Sequence, residues 1–171
     1  VAMFSSRDGE KVSSFNYTAF SLKDLERDLL SCGSLDMLMQ QSTEQINTRP
    51  LEGKFVGDII ITPDCLGDML HFLSYSIGDG PMISGTSIYK DKLDEQIASP
   101  LLTMHSRPVS DEICNGYFVT PDGYAAQNGT ILQDGVLKTF LLSLYGSRKT
   151  GLDRAVTSGG AFVVDPGDTP L

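Results

Sequence analysis

The chain has 171 residues, of which 40% are hydrophobic, so it is long and apolar enough to form at least one packed domain. It carries 22 Asp and Glu residues against 13 Lys and Arg residues, and the resulting net charge of −9 argues against a nucleic-acid-binding surface, because phosphates are repelled. No stretch reaches the roughly 18 consecutive apolar residues that a membrane-spanning helix needs.

The first 20 residues predict a β-hairpin. Two weakly alternating segments, 1–4 and 12–20, lie on either side of Asp8-Gly9. Because Asp-Gly is a strong turn signal between alternating segments, we expect the two segments to pair as antiparallel strands.

Two helical patterns follow this hairpin. Ser21 is a candidate N-cap for a helix that begins at Leu22. Gly33 is expected to interrupt that helix, and a second helical pattern begins at Leu35 and fades near Asn47.

The segment after Pro50 predicts a buried strand followed by a long helix. Residues 54–61 end in three isoleucines and are typical of a strand with both faces covered. Thr62 is a good N-cap and Pro63 suits the first helical position, so we expect a helix from there to Ile77, ended by glycines.

The rest of the chain predicts short strands joined by turns and one short helix. The expected strands are 87–89, 101–105, 117–120, 130–133, 136–142 and 161–164, and the expected helix is 144–149, with a loop at 78–92 and turns at 121–123 and 134–135. This mixture predicts an α+β fold with a mostly antiparallel sheet or a barrel-like core and a few helices.

The predicted helix from Thr62 to Ile77 sorts into two faces at 100° per residue. Its polar face carries Asp64, Asp68 and His71 at positions i, i+4 and i+7, which is a spacing that can hold a metal. The simpler interpretation is a solvated face, with Asp64 stabilising the start of the helix. The apolar face consists of Leu66, Met69, Leu70, Leu73 and Ile77.

The three cysteines, Cys32, Cys65 and Cys114, are widely spaced and form no Cys-x-x-Cys pair. This pattern is typical of reduced thiols in a cytoplasmic protein. A catalytic cysteine paired with His71 or His105 stays open as an alternative, although no local motif supports it.

The second half of the chain resembles a known family in the order and spacing of its segments. These segments are PLEGKFVGDIIITPDCLGDMLHFL, IASPLLT, DGYAAQNGTILQDGVLKTFLLSLYGSRKTG and SGGAFVV. Together they resemble the TldD/TldE family, whose TldE members are also called PmbA or modulator of DNA gyrase. The resemblance implies that 1–50 are the end of an N-terminal region and 51–171 a C-terminal domain truncated at its end. The start at Val1, with no methionine, likewise leads us to expect a fragment.

The TldD branch of that family carries a His-Glu-x-x-x-His motif on the helix after the apolar strand, in which the histidines hold zinc and the glutamate activates water. In this chain the motif positions hold His71, Phe72 and Ser76. Phenylalanine accepts no proton and serine is a poor zinc ligand, so the resemblance implies the TldE/PmbA branch, with no catalytic residue and no metal in this chain.

The resemblance also implies partners and a function. TldE pairs with a TldD-type subunit that supplies the zinc, and the pair is a cytoplasmic peptidase for peptides and small unfolded proteins. By the same resemblance, Tyr145, Arg148, Gly159 and Gly160 are candidate peptide-groove residues, with an extended peptide pairing with strand 161–164. The simpler interpretation gives Gly159-Gly160 a tight backbone path and Arg148 a role at the end of its helix.

Two alternatives stay open from the sequence. One is a homodimeric peptide-binding or scaffold protein, and the other is an independent hydrolase with an unrecognised site; Ser158 lacks the Gly-x-Ser-x-Gly pattern of a nucleophile elbow. If the chain is a subunit that pairs with a TldD-type partner, we expect a large exposed apolar surface. A hydrolase predicts a pocket with perturbed titratable groups.

Overall fold

The structure is a computed structural model that describes residues 1–167, apart from the side chains of Pro63 and Asp64. Its contacts divide the chain into two compact units, Val1–Gly67 and Asp68–Leu171. The division expected at residues 50 and 51 stays a prediction. Within the described part, no helix combines the length and apolarity that crossing a membrane requires.

The first unit opens with two antiparallel strand pairs, which confirms the predicted hairpin. Strand β1 (Ala2–Phe4) pairs with β4 (Asn16–Thr18), and β2 (Arg7–Asp8) pairs with β3 (Lys11–Val12). Gly9 makes the turn between the inner pair with a φ of 60°, a conformation that costs glycine nothing.

The helix expected from Leu22 is wrong, whereas the helix expected from Leu35 is confirmed. The only helical turn between residues 21 and 33 is the 3-10 turn Leu29–Ser31, and helix α1 (Leu35–Glu44) follows it. Leu25, Leu29 and Leu30 are exposed, so these three leucines do not pack into a core. A short helix without such packing is marginal in water.

The strand expected at 54–61 is also wrong. The segment forms no strand and exposes its apolar side chains, with Ile60 85% exposed. A strand needs a neighbour for its backbone N–H and C=O groups, and no described strand pairs with this segment. The residues of this segment favour a strand, but they form none among the described residues.

Helix α2 (Pro63–Ser76) confirms the predicted long helix and its start. The carbonyl of Thr62 accepts hydrogen bonds from the amides of Cys65 and Leu66, both at 3.0 Å. The predicted apolar face is only partly buried: Ile77 and Leu70 are buried, Leu66 and Leu73 are half-buried and Met69 is exposed.

Helix α3 (Asp79–Ser84) lies where a loop was expected, so that prediction is wrong for its first half. Gly80 and Pro81 obscured the helix in the sequence, yet a proline in the first turn needs no N–H partner. The strand expected at 87–89 is wrong as well, because those residues form turns.

The second unit contains a four-stranded antiparallel sheet in the order β7-β6-β5-β8. The sheet is open, since β7 and β8 are its edges among the described strands, and it does not form the barrel offered as an alternative. The α+β class is confirmed. The strands are β5 (Met104–Ser106), β6 (Gly129–Gln133), β7 (Val136–Leu137) and β8 (Phe162–Val164).

These strands confirm four of the sequence predictions with small shifts, and β7 is much shorter than the expected 136–142. The strand expected at 117–120 is reduced to one bridge, between Val119 and Ala125. Helix α4 (Leu144–Thr150) is confirmed and ends at Gly151, whose φ is 78°.

The core of the second unit is centred on the sheet, where the successive residues Ile131 and Leu132 of β6 are both fully buried. Its apolar side chains come from α2, α3, three of the strands and the segments around α4. The buried members are Leu70, Ile77, Met82, Met104, Ala126, Ile131, Leu132, Leu137, Phe140, Leu142 and Ala155. The first unit has a small core in which the hydroxyl groups of Ser6 and Ser13 contact that of the buried Ser42.

We expect Leu132→Ala to lower the free energy of unfolding by about 2–5 kcal/mol, because Leu132 is fully buried in β6 and its removal leaves a cavity. Chemical denaturation of the parent and the variant measures this difference. The matched control is Leu101→Ala, since Leu101 is 91% exposed and its truncation is expected to cost no more than about 0.5 kcal/mol. Equal losses in the two variants would contradict the described core.

Candidate functional site

The three positions at which the resemblance places the zinc motif lie on α2 and do not converge. His71 and Phe72 are exposed, Phe72 by 64%. Ser76 is buried and its hydroxyl donates a hydrogen bond to the carbonyl of Phe72 at 2.8 Å. Residues 71 and 76 are also about 140° apart around a regular helix, so their side chains diverge.

The alternative metal site on the same helix is only partly described. The side chain of Asp64 lies outside the described residues, and Asp68 and His71 are both exposed. Among the residues that the structure describes, no three His, Cys, Asp or Glu side chains are placed to hold a metal together.

The second histidine is not paired with a cysteine. His105 lies in the middle of β5, where its Nδ1 is 2.9 Å from the hydroxyl of Thr130 and its Nε2 is 3.4 Å from a carboxylate oxygen of Asp165. The three cysteines are free thiols, and Cys65 and Cys114 are exposed.

The second unit contains a cavity of about 210 Å³ beside the amino end of α4. Four parts of the chain form its wall: Asp79, the turn 120–122, the segment 141–143 and residues in 154–158. The wall combines two carboxylates, one guanidinium, several hydroxyl groups and a few apolar side chains.

Asp79, the first residue of α3, binds the residue that precedes α4. One carboxylate oxygen accepts a hydrogen bond from the backbone N–H of Ser143 at 2.9 Å, and the other accepts one from its hydroxyl at 2.5 Å. A Cβ on Gly146 would lie 1.9 Å from an oxygen of Asp79, so only glycine fits at that position of α4.

Asp122 binds the next residue of the same helix end. Its Oδ2 accepts the backbone N–H of Leu144 at 2.7 Å, and its Oδ1 accepts the hydroxyl of Thr120 at 2.6 Å. The hydrogen bond from Thr120 is the largest cause that lowers the pKa of Asp122, and the Leu144 N–H and the Arg154 charge lower it further, while burial opposes the shift.

Arg154 is the cation of the cavity. Its side chain is 22% exposed, its guanidinium carbon lies 3.9 Å from the centre of the Tyr124 ring, and its Nη1 is 3.8 Å from Asp122 Oδ1. At that distance the contact with Asp122 is an ion pair rather than a hydrogen bond.

A network of hydroxyl groups holds Gly159 and Gly160. Tyr117 donates to the carbonyl of Gly159 at 2.8 Å, and Ser106 donates to the carbonyl of Gly160 at 2.9 Å. The hydroxyl of the buried Thr157 contacts both donors, at 2.7 and 2.6 Å. Both glycines have positive φ angles, of 80° and 68°. This geometry explains the two adjacent glycines by the tight path that the backbone follows at these positions.

The other two groove candidates lie on the surface of α4. Tyr145 and Arg148 are exposed, and neither lines the cavity. Lys149 lies 5.7 Å from the centre of the Tyr145 ring. The structure therefore does not bring these two residues together with Gly159 and Gly160 around one cavity. A role for the four residues in peptide binding stays a prediction.

Sequence analysis missed the residues that build the cavity. Asp79 and Asp122 are 64 and 22 positions from the residues whose N–H groups they bind. Asp122 was recognised only as part of a turn, and Arg154 and Tyr117 belong to no motif. For the two aspartates, the available sequence signal is Ser143, the N-cap of α4. It marks a helix start, where backbone N–H groups need hydrogen-bond acceptors.

The cavity is built for binding rather than for proton transfer. A lowered pKa makes the Asp122 carboxylate a weaker proton acceptor at neutral pH, and both carboxylates already accept hydrogen bonds. No hydroxyl or thiol on the described wall of the cavity is hydrogen-bonded to a histidine.

We expect Asp122→Asn to flatten the pH dependence of stability in acid. A folded-state pKa below the ordinary value means that the ionised Asp122 adds stability above an unfolded pKa of about 3.9, and that this stability is lost as the pH falls through the folded-state pKa. Denaturation of the variant at a series of pH values is therefore expected to give a shallower loss below about pH 4 than the parent shows. Asp153→Asn, at an exposed carboxylate without a described hydrogen bond, is the control; a slope unchanged by Asp122→Asn would contradict the prediction.

We expect Gly159→Ala to destabilise the protein by about 1–2 kcal/mol, since an alanine at a φ of 80° is strained. Its Cβ would also lie 3.1 Å from Leu141 Cδ1. Gly67→Ala is the matched control, because Gly67 lies within α2 with open space around it, and this change is expected to stabilise by up to about 1 kcal/mol. Thermal unfolding measures both; the same sign for the two variants would refute the described backbone.

Comparison with known proteins places the chain in a family. The family described as PmbA/TldA metallopeptidase C-terminal domain matches residues 53–170. Two archaeal proteins named metalloprotease are similar, one from Methanothermobacter thermautotrophicus (26% identical over 81% of this chain) and one from Methanocaldococcus jannaschii (25% over 68%). The chain spans only 32% and 28% of the length of these two relatives.

Solved structures agree with this assignment. A crystal structure described as a modulator of DNA gyrase, from Bacteroides thetaiotaomicron, is 25% identical with a TM-score of 0.55 and covers 59% of this chain and 23% of its own. TldE from Thermococcus kodakarensis shares the fold, with 16% identity, a TM-score of 0.59 and coverage of 96% of this chain and 40% of its own. Because the family match spans well over half of the sequence, the chain belongs to the PmbA/TldD family, in which it carries the metallopeptidase C-terminal domain.

Proposed function

We propose that this chain belongs to a TldE/PmbA-type subunit of a cytoplasmic metallopeptidase, and that it processes peptides and small unfolded proteins only together with a TldD-type subunit. One observation carries the proposal: the positions that would hold the zinc motif are occupied by His71, Phe72 and Ser76. In this proposal the zinc and the catalytic glutamate belong to the partner.

The chemistry of these positions supports the proposal. A catalytic zinc site in proteins uses three protein ligands, and a nearby carboxylate activates the bound water. Phe72 offers no atom that accepts a proton, and the hydroxyl of Ser76 is buried and bonded to the carbonyl of its own helix. The described residues at these positions therefore do not fit a zinc ion.

Exposed apolar side chains in each unit support a role in association. On α2, Met69, Phe72 and Tyr75 are each more than half exposed. In the first unit, the segment 55–60 exposes Phe55, Val56, Ile59 and Ile60. Surfaces of this kind mark protein–protein contacts in soluble proteins. The family description and the metalloprotease names of the relatives supply the peptidase context.

Within the described residues, the cavity does not favour an independent hydrolase, because its carboxylates are engaged in hydrogen bonds and the pKa of Asp122 is lowered rather than raised. A homodimeric peptide-binding or scaffold protein predicts the same exposed surfaces. The two candidate functions differ in the partner: a TldD-type subunit would contribute the zinc, whereas a second copy of this chain would not.

We expect the protein alone to bind no stoichiometric zinc and to cleave no peptide, and the protein co-purified with a TldD-type partner to do both. Metal analysis of the two preparations, with cleavage of an unfolded test peptide before and after a chelator, measures this. His71→Ala is expected to leave the zinc content of the pair unchanged, because a single imidazole does not hold catalytic zinc.

Several results would overturn the proposal. Stoichiometric zinc or robust cleavage by the protein alone would do so, and loss of zinc in His71→Ala or Asp68→Ala would point to a metal site on α2. A stable homodimer that binds no TldD-type partner would favour the scaffold alternative.

A further inference from the structure

We propose that the cavity beside α4 binds a carboxylate group of a peptide through Arg154 and Ser158. This inference rests on the proposed function, because it takes a peptide as the ligand and adds the chemical group that the chain recognises. The donors and acceptors of the cavity wall differ in how far they are already used.

Each carboxylate oxygen on the wall already accepts one hydrogen bond. Both oxygens of Asp79 accept hydrogen bonds from Ser143, and both oxygens of Asp122 accept hydrogen bonds, one from Leu144 and one from Thr120. These bonds supply the end of α4 with partners, so the carboxylates serve the fold.

The donors of Arg154 are not engaged. A guanidinium carries five N–H donors, and that of Arg154 makes no hydrogen bond with the described residues. Stacking on Tyr124 and the ion pair with Asp122 hold its plane in place without using those donors. A mostly buried guanidinium with free donors on a cavity wall favours a ligand that accepts hydrogen bonds.

Ser158 is the second free donor. Its backbone N–H is fixed by a hydrogen bond to the hydroxyl of Tyr117 at 2.9 Å, which anchors the residue on the cavity wall. Its own hydroxyl has no hydrogen-bond partner among the described residues, whereas the hydroxyl groups of Thr120, Ser143 and Thr157 are all engaged.

A carboxylate fits this arrangement better than other peptide groups. It accepts two parallel hydrogen bonds from a guanidinium, and the shape of that pair selects it over a single carbonyl oxygen. Leu141, Leu142 and Ala155 add apolar wall for the carbon atoms beside the carboxylate. Because Asp79 and Asp122 give the wall one more negative than positive charge, recognition of a carboxylate depends on hydrogen-bond geometry and not on net charge.

The test uses three peptides that differ only in their carboxylates: N-acetyl-trialanine with a free carboxylate, its amide, and the amide with the middle alanine replaced by aspartate. Each is titrated into the isotope-labelled full chain, and NMR shifts of the Arg154 Nε–H and of the Ser158 and Gly159 amides report binding. We expect the free acid to bind at least about tenfold more tightly than the amide, in line with charge-assisted hydrogen bonds.

Two variants decide the assignment. Arg154→Gln is expected to remove the preference for the acid, whereas Arg107→Gln, at an arginine that bonds Glu112 at 2.8 Å and does not line the cavity, should keep it. If Arg154→Gln does not fold, Ser158→Ala decides, and it should weaken the acid several-fold while leaving the amide unchanged.

The remaining outcomes also have fixed meanings. Binding of the free acid alone assigns the cavity to a peptide carboxyl terminus, and equal binding of the aspartate peptide assigns it to any peptide carboxylate. Equal affinity for acid and amide, no binding of any peptide, or a preference that survives in the deciding variant would overturn the inference. The proposed function is judged separately, by the zinc and cleavage of the paired protein.

Discussion

The second unit depends on how the amino end of α4 obtains its hydrogen bonds. Asp79 accepts from the N–H of Ser143, Asp122 accepts from that of Leu144, and the Ser143 hydroxyl accepts from those of Tyr145 and Gly146. A helix end has several such donors without partners in the helix itself. Their satisfaction here joins α3, the turn 120–122 and α4, and the absence of a side chain at Gly146 makes room for the carboxylate of Asp79.

This arrangement decides what the neighbouring cavity can do. The two carboxylates that line it bond the amino end of α4, and the lowered pKa of Asp122 makes that carboxylate a weaker proton acceptor. The proposed ligand contacts are the guanidinium of Arg154, which stacks on Tyr124, and the hydroxyl of Ser158, whose backbone N–H donates to Tyr117. Structural and binding roles are thus divided among adjacent charged groups.

Helix α2 shows a different relation between structure and function. It carries a phenylalanine and a serine at positions 72 and 76, where the sequence resemblance places the glutamate and second histidine of a zinc motif. The start of the helix at Thr62 does not involve the exposed Phe72, so residue 72 can change without loss of the fold, whereas Ser76 is buried and bonded within the helix. Under the proposed function, catalysis is left to a partner subunit.

The sequence by itself determined the elements whose signals are local. The starts of α2 and α4, the end of α4 at Gly151 and the antiparallel class of the sheet follow from caps, glycines and turn residues a few positions apart. Tertiary structure decided the rest. The segment 54–61 has a strand composition but no described strand to pair with, and a strand exists only with a neighbour. The cavity likewise depends on Asp79 and Asp122, whose partners lie 64 and 22 positions away, and no local pattern records a hydrogen bond over that distance.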